Sequence, residues 1–193
     1  RLGEEVPCEH RHVVAAFVPS CGHCKPCETG RPALCEPGFK ANSAGTLLSG
    51  ERRLHDAGGS VHHHLGVSGF AQYAVLAANS LVRVPSDLPF AEAALFGCAV
   101  ITGVGAVVNT AAHPRGASAA VVGLGGVGLA ALLAARMLEA EHLVAIDMND
   151  RKLAVARELG ATATVNAASP DAAEQIREIT GGAMCDVVYD SVG

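Results

Sequence analysis

The chain has 193 residues, half of them hydrophobic and 4% aromatic, with 14 basic and 19 acidic side chains and a formal charge of −5. That length allows one or two domains burying roughly 70% of the surface an unfolded chain exposes. The acidic balance, with no basic run beyond two residues, argues against a nucleic-acid partner, which needs a basic face. Arg1-Leu2-Gly3-Glu4-Glu5 lacks the apolar core of a secretory signal, so a cytoplasmic protein is expected.

In chain order, the apolar run His12 to Val18, stopped by Pro19, predicts a strand, so the chain is expected to open in a β-rich region. Cys21, Cys24, Cys27 and Cys35 follow as a C-x2-C-x2-C-x7-C cluster on a loop rich in Gly and Pro. Four thiolates so close fill the four tetrahedral positions of a structural zinc and leave none open. Cys8, Cys98 and Cys185 are scattered singly, which suits a reducing compartment and a metal site better than a disulfide framework. His23 lies among the cysteines but reads as a solvent-facing loop residue, since the shell is complete without it.

The charged stretch Glu51 to Ser60 reads as a solvated loop, and His62-His63-His64 as its surface continuation, because consecutive side chains point different ways. Phe70 to Leu76 and Leu81 to Val84 predict strands, Pro85 and Pro89 bracket a turn, and helical patterns begin at Ala91 and again near Val100. Cys98, alone in an apolar setting, is by default a small core residue. Ala93 to Ala112 and Gly116 to Ala135 each run twenty residues without a charge, long enough to cross a membrane. Neither is flanked by a Lys/Arg cluster, the second is broken by glycines, and buried α/β elements give the same run lengths, so no membrane partner is expected.

Ala119 to Leu129 ends an apolar run in Gly123-x-Gly125-x-x-Gly128 and passes into a Pro-free Ala/Leu segment: strand, tight turn, helix. Gly123 allows the turn, Gly125 admits a pyrophosphate against the backbone, and Gly128 lets helix and strand close up. The phosphates then meet the helix N-terminus. A second apolar run, Leu143 to Ile146, ends in Asp147, nineteen residues after Gly128, where an acid binds both ribose hydroxyls. Strands at 119–123, 143–147, 162–166 and 185–190 alternate with helices at 126–138, 151–159 and 171–180. That alternation predicts an α/β fold with a doubly wound parallel sheet.

The four-cysteine cluster, Gly97-Cys98 through Thr102-Gly103, and the glycine turn with Asp147 occur in one order, and in that order the chain resembles the zinc-dependent medium-chain alcohol dehydrogenases over nearly its whole length. The resemblance implies part of a GroES-like catalytic domain in residues 1–99, with the zinc lobe at 20–36, and part of an NAD-binding Rossmann domain in residues 100–193. It makes Cys98 a ligand of a catalytic zinc and sets Thr102 and Val127 against the nicotinamide. Gly123, Leu124, Gly125, Gly126, Val127 and Gly128 become the cofactor turn, with Asp147 and Lys152 at the adenosine ribose. The implied reaction is hydride transfer between a small alcohol or aldehyde and NAD, with zinc polarising the alcohol oxygen, in a homo-oligomer.

The family's other catalytic-zinc ligands and its proton-relay hydroxyl precede the strand that begins here near residue 12, and its chain continues past the strand that ends here near Gly193. An internal fragment, catalytically silent by itself, is therefore expected. Cys8, His10 and His12 do not rebuild the missing site, Cys8 and His10 being only a strand's alternation apart. A zinc-free quinone or enoyl reductase would share the nucleotide domain but lack the cysteine lobe. A zinc-stabilised binding module would need a basic or aromatic face that this composition does not supply. A nucleotide-binding fragment without chemistry is the remaining alternative.

Overall fold

The computed structural model describes residues 12–193, so Cys8 and His10 lie outside the described residues. The chain divides into two units, one ending at Gly97 and one beginning at Cys98.

In the first unit, strand β1 (Val13–Ala15) pairs antiparallel with β4 (Leu81–Arg83), Val14 opposite Val82. The strand is shorter than the apolar run predicts because Val18 adopts a left-handed φ of 66° and turns the chain ahead of Pro19. Helices α1 (Lys25–Glu28) and α2 (Glu36–Ala44) lie between these strands in sequence. The latter closes at Gly45, and the Arg52 guanidinium donates to the carbonyls of Ala44 and Gly45 at the helix end.

Two expectations fail in this unit. Residues 51–60 are not an unstructured loop: β2 (Leu54–Asp56) and β3 (Gly59–Val61) form a two-residue hairpin through Ala57 and Gly58, with Asp56 Oδ1 accepting from the Gly58 amide at 2.8 Å. Leu54 alone among its strand residues is half-buried, so no alternation of apolar and polar faces marked it. Conversely, Phe70 to Leu76 forms no strand, and Phe70 and Tyr73 stand fully or nearly fully exposed. Apolar β-formers make a strand only where a partner ladder exists, and none is offered to them among the described residues. Helix α3 (Phe90–Leu95) follows Pro89, as the turn signal predicts.

The second unit is built from βαβ repeats. Strands β5 (Ala119–Val122), β6 (Leu143–Asp147), β7 (Ala163–Asn166) and β8 (Val187–Asp190) form a parallel sheet in the order β7-β6-β5-β8. The chain steps outward twice from β5 and then crosses back to β8, which sends helices to both faces. Alternate residues of β5 serve the two faces. Ala119 and Val121 pack with Leu132 and Ala135 of α5 (Gly126–Met137) and Leu153 of α6 (Asp150–Glu158). Ala120 packs on the other side with Val144, Val165 and, from α7 (Ala172–Ile179), Ile176. The buried polar pair here is satisfied. His113 Nε2 lies 3.2 Å from the Ala117 carbonyl and so carries the proton, leaving Nδ1 to accept from the Tyr189 hydroxyl at 3.0 Å.

The helical run Phe90–Thr110 is long and apolar enough, by length and composition, to cross a membrane. Its second part, α4 (Ile101–Gly105) with the wide π-type turn Ala106–Thr110, is packed within the second unit: Gly103 and Val107 are buried. A Cβ on Gly103 would collide with the Val127 carbonyl and lie 2.7 Å from the Ala130 Cβ. Small residues therefore set the close crossing of α4 and α5.

Candidate metal and dinucleotide sites

The cysteine lobe is assembled by short helical turns. Cys24 precedes α1, whose second residue is Pro26, and Cys35 is the N-cap of α2, its sulfur accepting from the Gly38 amide at 3.3 Å. The same sulfur accepts from the Cys21 amide at 3.2 Å, so two backbone donors converge on it. The four ligand atoms of Cys21, Cys24, Cys27 and Cys35 all lie within 4.8 Å of one another, and Cys24 and Cys27 are 3.5 Å apart. A tetrahedron with Zn–S bonds of about 2.3 Å has edges of about 3.8 Å, so the donor set fits zinc in number, type and spacing.

The electrostatics point the same way. The His23 backbone amide, with those of Cys24 and neighbouring sulfurs, lowers Cys21 to about 6 against burial. Cys24 is pushed up to about 12: the Cys27 backbone amide favours its thiolate, but burial and the sulfurs of Cys27, Cys21 and Cys35 oppose a further charge. Four sulfurs this close ionise together only around a cation. His23 is exposed, its ring 2.8 Å from the Cys21 carbonyl. His62 and His64 are exposed as expected, but His63 is buried, its Nε2 accepting from the Arg53 amide at 3.1 Å. It serves the hairpin's packing rather than the surface.

In the second unit the glycine turn follows β5. Gly123 has φ 85°, the left-handed region in which glycine escapes the Cβ penalty. A Cβ on Gly128 would run into the Gly123 carbonyl and lie 2.7 Å from Ser191 Oγ, whereas one on Gly125 would meet nothing within 4 Å. Gly128 is thus a packing glycine, and Gly125 borders open space at the start of α5. Replacing Gly128 by alanine is expected to cost about 1–3 kcal/mol of stability through overpacking, read as a lower thermal midpoint. An unchanged midpoint would mean that the turn has room. Leu124 drops its side chain into the core at 2% exposure, and Gly126 and Val127 open the helix.

Asp147, the last residue of β6, is brought against this turn. Its Oδ2 accepts from the Leu124 amide at 2.8 Å, its Oδ1 from the Asn149 amide at 2.9 Å, and Lys152 Nζ lies 3.4 Å from Oδ2. Burial opposes its charge, but the Leu124 and Asn149 amides and the Lys152 ammonium outweigh it and hold the carboxyl below the usual range. The stability this charge contributes is complete above the ordinary carboxylate value of about 3.9 and is lost as pH falls through the lower folded value. Asp147 to Lys152 line an open hollow of about 680 Å³.

Cys98 and Thr102 are exposed and one helical turn apart, the Thr102 hydroxyl donating to the Cys98 carbonyl at 2.7 Å. Ala99, next to Cys98, comes within 3.1 Å of where a Cβ on Gly126 would stand. Cys98 is therefore not a core residue: it sits in the π-type turn Phe96–Val100 near the N-terminus of α5, and such turns cluster at functional positions. Among the described residues the cysteine lobe is the one group of three or more metal-type donors, so Cys98 stands as a single donor.

The sequence reading missed Ser191. Its hydroxyl lies 2.7 Å from the Gly123 carbonyl and 2.9 Å from that of Val122, tying the end of β8 to the turn. Its signal was positional, since residues just past the C-terminal ends of parallel strands border the ligand crevice.

Residues 126–193 match the family model described as zinc-binding dehydrogenase. The chain is 38% identical over 186 residues to an alcohol dehydrogenase class-3 of Myxine glutinosa, covering 94% of this chain and 48% of that protein. A Synechocystis S-(hydroxymethyl)glutathione dehydrogenase is 36% identical over 184 residues, covering 94% and 50% respectively. The crystal structure of an alcohol dehydrogenase zinc-binding domain protein from Burkholderia ambifaria superposes with a TM-score of 0.82 at 38% identity, over 95% of this chain and 50% of that one. The chain is thus similar to zinc-binding dehydrogenases along nearly its whole length, and the family model itself matches within its second unit. The chain spans about half the length of the curated dehydrogenases it matches. The matched dehydrogenase model starts at the first residue of α5 and takes in Asp147 and Ser191.

Proposed function

We propose that this chain is the dinucleotide-binding and zinc-lobe portion of an NAD-dependent alcohol dehydrogenase acting on a small alcohol or aldehyde. In this reading residues 1–99 are catalytic-domain residues and 100–193 the nucleotide domain. Cys21, Cys24, Cys27 and Cys35 hold a structural zinc. Gly123 to Gly128 cradle the pyrophosphate, and Asp147 with Lys152 takes the adenosine ribose. Cys98 and Thr102 face the reacting end, Cys98 as a zinc ligand and Thr102 with Val127 against the nicotinamide. NAD held there would supply the hydride acceptor, taking a hydride from the alcohol carbon as the hydroxyl gives up its proton, so that alcohol and NAD would become aldehyde and NADH. A catalytic zinc takes three protein donors and an open position, and the described residues supply one. Cysteine thiolates that bind metal suit a reducing, cytoplasmic setting, and assembly as a homo-oligomer goes with the family reading.

The observation that carries this reading is the convergence at one end of α5: open space at Gly125, the Asp147 carboxylate on the turn, and Ala99, the neighbour of Cys98, beside Gly126. The test is a titration of the chain with NADH, followed by nicotinamide fluorescence. Saturable binding is expected for the wild type and a loss of about tenfold or more for Gly125→Ala, since one misplaced methyl at a pyrophosphate site displaces several amide contacts. The variant's fold should be intact, its methyl meeting nothing within 4 Å. In the enzyme that contains this chain, Cys98→Ser should abolish alcohol-dependent NAD reduction while NADH binding persists. No saturable binding by the wild type would overturn the reading.

A further inference from the structure

The turn residue Leu124 lies between the last strand residues of β5 and the first turn of α5, where its amide has neither a ladder partner nor a helical one. Its side chain is anchored in the core and its amide is held by Asp147 Oδ2 at 2.8 Å. The other carboxylate oxygen accepts the Asn149 amide at 2.9 Å, at the entry to α6. One side chain, 11% exposed, thereby joins the turn after β5 to the turn after β6.

We propose that Asp147 is a positioning residue for the pyrophosphate as well as a partner for the ribose: by accepting the Leu124 amide it holds the glycine turn in the shape that receives the diphosphate. The inference rests on the dinucleotide reading above and goes beyond it. It requires a carboxylate. An ionised Asp has acceptors on both oxygens, and here each takes a backbone N–H. An asparagine offers one oxygen and one NH2 group, so one of the two amides would face a donor and lose its bond. The charge also strengthens both bonds.

The two roles have opposite electrostatic signatures. Asp147 is an anion beside a site for a diphosphate, so neutralising it removes a repulsion and, by charge alone, strengthens binding of any diphosphate. Loosening the turn weakens binding of the same ligand. A consequence is that removing the acid to admit a 2′-phosphate shifts the ratio between the cofactors but weakens the binding of both, because both need the same turn.

The test uses ADP and 2′,3′-dideoxy-ADP, which keeps the diphosphate but has no ribose hydroxyl for Asp147 to bind, titrated into the wild type and Asp147→Asn. The variant is expected to bind dideoxy-ADP about fivefold or more weakly, the size of one hydrogen bond, and ADP more weakly still. Unchanged or tighter dideoxy-ADP binding by a folded Asp147→Asn chain, with ADP binding reduced, would leave Asp147 as a ribose ligand only and overturn the proposal. Should the variant not fold, the wild type decides by NMR. The Leu124 amide resonance should move with the Asp147 carboxyl titration, alongside that of Asn149, and a Leu124 amide blind to that titration overturns the proposal. Absence of ADP and NADH binding by the wild type overturns the dinucleotide reading and this proposal together. ADP binding with dideoxy-ADP indifferent to Asp147→Asn overturns this proposal alone.

Discussion

Replacing Cys24 or Cys35 by serine is expected to release one zinc per chain and unfold residues 20 to 36. Within that stretch only Cys35 is buried, so the lobe has no apolar core to fall back on. A closed thiolate site contributes about 10–16 kcal/mol in small zinc peptides, as much as the whole net stability of an ordinary domain. Serine at position 35 keeps an oxygen able to cap α2, where the Cys35 sulfur now accepts the Gly38 amide. A collapse of the lobe would therefore report the metal and not the cap. Elemental analysis, thiol titration and amide exchange across the lobe measure the three consequences separately. A wild-type chain with no zinc and four freely reacting thiols would overturn the assignment.

NAD is expected to bind at least about tenfold more tightly than NADP, the equivalent of about 1.4 kcal/mol. A 2′-phosphate brings about −1.5 to −2 charges to the ribose site proposed above, beside the Asp147 carboxylate. Asp147 is held ionised by the Leu124 and Asn149 amides and Lys152 despite its burial. Two unit charges of one sign at about 4 Å repel by about 4 kcal/mol at an effective dielectric of 20, before salt screening. A third of that is already tenfold. Lys152 is the nearest cation that would soften the repulsion, but it is paired with the same carboxylate at 3.4 Å. Parallel titrations with NADH and NADPH read the ratio, and equal affinities would mean that Asp147 does not face the ribose.

What could be read from residue order alone is the part of this protein set by local rules. The spacing of Cys21, Cys24, Cys27 and Cys35 announces a metal lobe because four ligands on one short loop need no distant chain to meet. The alternation of apolar runs from Ala119 to Asp190 announces a parallel sheet because strands covered on both faces are apolar throughout, and Gly123-x-Gly125-x-x-Gly128 marks the turn because Gly123 takes a left-handed φ and Gly128 leaves no room for a Cβ. Tertiary structure decided the rest. The hairpin at Leu54–Val61 carried no alternation because it is exposed on nearly every side chain, and Phe70 to Leu76 carried the composition of a strand without the partner ladder that makes one. His63 took a buried place that its neighbours His62 and His64 do not share. Which glycine is for packing and which borders open space, that Asp147 holds the Leu124 amide, and that Ser191 ties β8 to the turn all depend on contacts between residues some twenty to seventy positions apart, the separations being 23 for Asp147 and 68 for Ser191. No local pattern encodes those distances, because they exist only once the sheet has brought the carboxyl ends of β5, β6 and β8 side by side.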